Sequence, residues 1–136
     1  VRVSVTDYAA LSADYAQYHR ARGNRVCHCL GIPLIVYAVC AWTRVFGIPA
    51  VLALMPLYFL WDARLGALVS AFVLACVLAA RVLPPWAAWA AFVLGWILQF
   101  AGHGVWEKRS PAFARNLIHL LVGPAWIAAE LTGLRK

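Results

Sequence analysis

Residues 65–83 read LGALVSAFVLACVLAARVL, a run without a charge until Arg81. A helix crossing the hydrocarbon core of a bilayer needs about 20 such residues, so this stretch is read as a transmembrane helix. Pro84 and Pro85 end it, and a second run follows at 86–103, WAAWAAFVLGWILQFAGH. On the N-terminal side, residues 29–46 are apolar until Arg44, whose long side chain can snorkel to the interface. A break at Gly47, Ile48 and Pro49 precedes residues 50–61, which are apolar but short and are disturbed by Pro56, and Asp62 and Arg64 then turn the chain. Four spans are expected: 29–46, a short 50–61, 65–83 and 86–103.

Composition agrees. Hydrophobic residues make up 65% of the chain and charged residues 12%, with a mean hydropathy of +0.78. A soluble domain carries about 25% charged residues, so there is too little polar surface here to cover a water-soluble globule. At 136 residues there is room for one domain, and 1–136 is read as a single membrane-embedded helical unit. The expected fold class is all-α: an integral membrane helical bundle of about four transmembrane helices, with an amphipathic helix before it and an interfacial or re-entrant helix after it. The first of these, residues 8–22, has Tyr8, Leu11, Tyr15, Tyr18 and Arg22 at helical spacing, a cap at Asp7 or Thr6 and an interruption at Gly23 and Asn24. The last, residues 112–131, carries Arg115, Asn116 and His119 on its first turns. Tyr15 and Tyr18 are expected as interfacial anchors, and Trp86, Trp89, Trp96 and Trp106 as packing and belt residues.

Twelve Lys and Arg against five Asp and Glu leave a formal charge of +7. Nucleic-acid binding needs a contiguous basic surface; here Arg20, Arg22 and Arg25 precede the first span while Lys108, Arg109 and Arg115 follow the fourth. That is the pattern of cytoplasmic flanks, and no nucleic-acid partner is expected. No secretory signal is visible in residues 1–28. Cys27 and Cys29 flank His28 too closely for the usual zinc spacing, and Cys40 and Cys76 lie in apolar runs, so all four cysteines are read as reduced thiols. There is no G-x-S-x-G elbow and no phosphate-cradling glycine loop. Four histidines are too few for a membrane di-iron desaturase, and residues 65–83 offer a transporter nothing polar in mid-membrane beyond Ser70.

What remains is a polar constellation. An even number of spans brings His19, His28 and His103 to one membrane face. Each has a polar or aromatic neighbour four residues away, on the same helical face: Tyr15 before His19, Asn24 before His28, and Gln99 and Glu107 on either side of His103. Ionisable groups near a membrane face protein or a wet cavity. Two readings are open: hydrogen bonds that bridge helices, or a metal site, since imidazole and carboxylate suit a first-row metal such as Fe(II) and neighbouring amides can orient the rings. His119, with Asn116 and Gly123 nearby on its helix, is a further candidate ligand or a helix-contact residue.

Tyr15-x-x-x-His19, then Asn24-x-x-x-His28-x-x-Gly31-Ile32-Pro33, resembles the N-terminal signature of the small membrane 2-hydroxy fatty acid dioxygenases, a family first characterised in yeast phytosphingosine breakdown and with many bacterial members. Gly95-Trp96-x-x-Gln99-Phe100-x-Gly102-His103-x-x-x-Glu107-x-x-x-Pro111-Ala112, with Pro124 beyond it, resembles the family's second signature. The resemblance runs through nearly the whole chain, in order. It implies an Fe(II)-dependent dioxygenase that takes a 2-hydroxy fatty acid and dioxygen and leaves a product one carbon shorter. It also implies His19, His28 and His103 as metal ligands, and functional roles for Glu107, Asn24 and Gln99. Some members have two consecutive histidines where this chain has Tyr18-His19, and His119 is the residue that could supply the missing ligand. The implied location is a bacterial inner membrane, with the site facing the cytoplasm. The rival expectation is a non-enzymatic lipid-binding or assembly protein whose histidines only join helices.

Overall fold

The long apolar runs fold as helices. The computed structural model describes residues 3–45 and 48–134, and these form an all-α bundle apart from a two-residue antiparallel pairing of β1 (Arg44–Val45) with β2 (Ile48–Pro49). Phe46, the expected end of the first span, and Gly47 of the break lie outside the described residues.

Helix α1 (Tyr8–Ala16) starts at Asp7, whose carboxylate accepts the Ala10 N–H at 3.0 Å and so satisfies an orphan donor of the first turn. It ends short of the expected Arg22. Residues 17–21 form a linker, and α2 (Arg22–Trp42) takes Gly23 and Asn24 into its first turn instead of breaking at them. The reason is tertiary. Ala21, at the head of α2, has no side chain that caps, but the Glu107 carboxylate arrives from the far end of the chain and accepts the N–H groups of Arg20 at 3.1 Å and Ala21 at 2.9 Å. A negative charge there also suits the positive end of the helix dipole.

A 3₁₀ turn (Ala50–Leu54) and α3 (Met55–Trp61) bring the chain back towards its N-terminal segment. The Trp61 indole donates to the Val5 carbonyl at 2.8 Å and its ring stacks on Tyr8. Helix α4 (Ala63–Val82), capped by Asp62 through the N–H groups of Arg64 and Leu65, runs away again. After the Pro84 turn, α5 (Pro85–Ala101) returns beside α2, with Trp42 packed against Trp89 and Phe92. Three stretches, Arg22–Trp42, Ala63–Val82 and Pro85–Glu107, are long and apolar enough to cross a membrane. Residues 50–61 make their pass in a form too short for the roughly 20 residues a span requires. Trp86, Trp89, Val82 and Ile97 stand exposed on the outside of the bundle, as side chains facing lipid do.

The expected helix over 112–131 is divided. A short 3₁₀ turn (Ala112–Ala114) is followed by a turn in which the Asn116 side chain accepts the Ile118 N–H at 3.2 Å, a local bond that competes with helix formation. Helix α6 (His119–Thr132) begins only after it, so Arg115 and Asn116 precede the helix rather than occupying its first turns. Both ends of α6 are tied to the N-terminal part of the chain, His119 to Asp14 at 2.8 Å and Glu130 to Arg25 at 2.6 Å.

Tyr15 and Tyr18, expected at the membrane interface, are instead buried. Tyr15 packs against Trp126 of α6, and Tyr18 lies under the Arg109 guanidinium at 4.1 Å. All four cysteines are free thiols.

Candidate metal centre

Three of the four histidines converge. His19 comes from the linker after α1, His28 from the second turn of α2, and His103 from the turn that ends α5. Each offers one nitrogen, and these nitrogens lie within 4.8 Å of one another. All three rings are buried, with relative exposures of 3%, 2% and 3%.

Backbone carbonyls orient two of the rings. The His19 Nδ1 lies 2.7 Å from the Tyr15 carbonyl oxygen and the His28 Nδ1 2.9 Å from that of Asn24. A carbonyl can only accept, so Nδ1–H is the donor in both, and each Nε2 keeps its lone pair. Locking the remote ring nitrogen in this way is what metal-ligating histidines do. The Nε2 atoms of His28 and His103 face each other at 3.2 Å, while His19 Nε2 and His103 Nδ1 have no hydrogen-bond partner among the described residues. Tyr15 also stacks flat on His19, ring centres 4.0 Å apart. Burial, and then the neighbouring His28, hold His19 well below the ordinary imidazole pKa, only partly opposed by the Tyr15 carbonyl. The ring is therefore neutral, the form that can ligate. Orphaned, inward-facing imidazole nitrogens are the donor set that divalent first-row metals such as iron accept, and these residues fit one.

The other polar residues divide by role. Gln99 lines the same cavity with its Nε2 unpartnered; a Cβ on Gly31 would come within 2.5 Å of that atom, so glycine leaves it room. Asn24 donates to the Tyr18 carbonyl at 2.9 Å and to Glu107 at 3.2 Å. Glu107 spends its carboxylate on Asn24 and the two backbone N–H groups at the head of α2. The stripe Gln99, His103 and Glu107 therefore does not stay on one helical face. Residues Gly102–Glu107 widen into a π turn, a distortion frequent at functional sites. His119 lies outside the trio: it lines the cavity, but its Nε2 is engaged by Asp14 and its ring centre is 5.8 Å from Tyr15. Asp14 and Trp126, whose ring centre is 5.3 Å from His19, were not singled out from the sequence: Asp14 is five residues from His19, off its helical face, and Trp126 sits two turns after His119 in an apolar run, where a tryptophan reads as packing. The cavity in front of the trio measures about 80 Å³.

Fold and centre together define a class: a helical membrane protein that gathers three buried imidazoles at one end of its bundle. Residues 5–135 match the Mpo1-like family, described as 2-hydroxy-palmitic acid dioxygenase Mpo1-like, and the chain belongs to that family. It is also similar to the 2-hydroxy-palmitic acid dioxygenase MPO1 of Saccharomyces cerevisiae, 55% identical over 40 residues, which cover 29% of this chain and 23% of the yeast protein. The matched stretch thus spans less than a quarter of that relative's length. No solved structure matches.

Proposed function

We propose that this chain is an Fe(II)-dependent dioxygenase that cleaves a 2-hydroxy fatty acid beside its carboxyl carbon and leaves the acid one carbon shorter. The reaction balances without an external reductant: R–CH(OH)–COOH and O₂ become R–COOH, CO₂ and H₂O, the four electrons lost by substrate carbon reducing one dioxygen. The observation that carries the reading is the convergence of three buried imidazoles, each offering one nitrogen within 4.8 Å of the others, with His19 Nε2 left without a partner among the described residues. The family's description and the yeast relative's name support the substrate class.

His19, His28 and His103 would hold the iron. When bound, iron would supply the redox chemistry towards dioxygen. The chain's own contribution is orientation and shelter. The carbonyls of Tyr15 and Asn24 keep two rings in the ligating tautomer. Gln99 faces the cavity with a free N–H donor, suited to an oxygen of the substrate's carboxylate or hydroxyl. Asn24 and Glu107 are positioning groups: they hold the head of α2, and with it His28, against the end of α5, which carries His103. His119 stands in the wall, paired with Asp14. The basic residues Arg20, Arg22, Arg25, Lys108 and Arg109 belong to the same end of the bundle, which supports a site on the cytoplasmic side of a bacterial inner membrane.

The test is anaerobic loading of the purified protein with Fe(II), metal analysis, and oxygen uptake with 2-hydroxypalmitate. One iron per chain and formation of pentadecanoic acid are expected. Absence of both would leave the histidines as helix-joining groups in a non-enzymatic membrane protein.

A further inference from the structure

The cavity beside the histidines, about 80 Å³, has room for the polar head of a substrate and not for an acyl tail. A second cavity of about 560 Å³ adjoins it, within the range of roughly 300–1,000 Å³ typical of small-molecule sites. Six residues, Ile32, Ile35, Val36, Trp96, Leu120 and Pro124, line both. The larger cavity lies beneath α6, between α2 and α4, and among the described residues its wall carries no charged side chain. Its tyrosine, Tyr58, donates its hydroxyl to the Leu121 carbonyl at 2.8 Å, so that polar group is already satisfied. Leu54, Phe72 and Leu131 stand exposed at the rim, which opens the groove sideways towards lipid.

We infer that this groove is the acyl-chain site, and that the residues at its far end set the preferred chain length. The inference rests on the proposed reaction for its head group and goes beyond it by assigning the tail. Val39 lines the far end on the same helix as His28. The eleven helical steps from His28 to Val39 correspond to about 16 Å at the helical rise of about 1.5 Å per residue. Carbon–carbon bonds of about 1.5 Å laid in a zigzag advance by roughly 1.25 Å each, so about a dozen carbons reach from the histidines to Val39. With the carboxyl and hydroxyl carbons held at the centre, the groove suits 2-hydroxy acids of about 14 to 16 carbons in all. The occupant must be a single unbranched apolar chain with its polar group at the histidine end, which is the shape of a fatty acid that slides in from the bilayer.

Two measurements test this. The first is turnover across saturated 2-hydroxy acids from ten to twenty carbons. For the wild type, kcat/KM rises roughly threefold to fourfold per added methylene, the factor set by about 0.8 kcal/mol per buried CH₂, until the chain reaches Val39, and then levels or falls. Val39→Phe moves that break to shorter acids and Val39→Ala to longer ones, with iron content unchanged in both. A break that stays at the same length in both variants overturns the assignment. The second measurement needs no turnover: iron-free wild-type protein in nanodiscs is photolabelled with a 2-hydroxy fatty acid bearing a terminal diazirine, and the label is mapped by mass spectrometry. Label on Val39, Phe72 or Phe92, displaced by excess 2-hydroxypalmitate, supports the site. Label confined to the outer face around Trp86, Val93 and Ile97, or a co-purified phospholipid in the groove that the acid cannot displace, refutes it. Groove labelling without turnover of any acid would refute the proposed reaction and leave the acyl site standing. Turnover without groove labelling would do the reverse.

Discussion

Gly31 of α2 and Gly95 of α5 face each other at the crossing of the two helices, so closely that a Cβ on Gly95 would fall 2.8 Å from the Gly31 carbonyl oxygen. Small residues let helix backbones approach in a membrane, and this contact brings His28, one turn before Gly31, within reach of His103, two turns beyond Gly95. Gly95→Ala is expected to force the helices apart at a cost of about 1–3 kcal/mol from overpacking. Thermal unfolding in detergent should show a lower Tm, and metal analysis a loss of iron. An unchanged Tm together with full iron would mean the crossing does not set the distance between the histidines.

His19→Ala, His28→Ala and His103→Ala should each lower the affinity for iron by more than about tenfold, since even the partners that merely orient ligands are worth about 10–100-fold. Each should also abolish oxygen uptake. Iron-to-protein ratios at limiting Fe(II), measured beside turnover, check this. Iron and activity retained in all three variants would remove the proposed centre.

His119→Asn should leave the iron ratio at the wild-type value, because its Nε2 is engaged by Asp14 at 2.8 Å and it stands outside the trio. Asp14→Asn should likewise keep iron. A fall in iron affinity with His119→Asn as large as that with His28→Ala would make it a fourth ligand.

Glu107→Ala removes the acceptor of two backbone N–H groups at the head of α2. Loss of a cap typically costs about 0.5–2 kcal/mol. The expected result is a lower Tm with iron still bound, and Glu107→Gln, which retains a side-chain oxygen, should recover part of the loss. Complete loss of iron at an unchanged Tm would instead mark Glu107 as a ligand.

The membrane class, the runs behind α4 and α5 and the helical character of the whole chain were legible in order along the sequence, because the cost of exposing apolar surface to water depends on composition and run length alone. The candidates His19, His28, His103 and Gln99 were legible for a related reason: a polar group in an apolar chain has few explanations, and spacing by fours displays it. The start of α2 was not. Gly23 and Asn24 read locally as a break, and they are helical because a carboxylate more than eighty residues away in the sequence supplies the acceptors. The start of α6 was also missed, since the local bond made by Asn116 outweighs a helical pattern that looks continuous.

Sequence alone therefore determined that this protein lives in a membrane, that it is helical, and which few polar side chains need an account. Tertiary structure decided which of them meet: three imidazoles at one point, His119 turned to Asp14, Glu107 given to a helix end. Burial is a property each residue carries by its chemistry, whereas the choice of partner depends on distances between helices, and those are fixed by packing contacts such as Gly31 against Gly95 that no single stretch of chain contains.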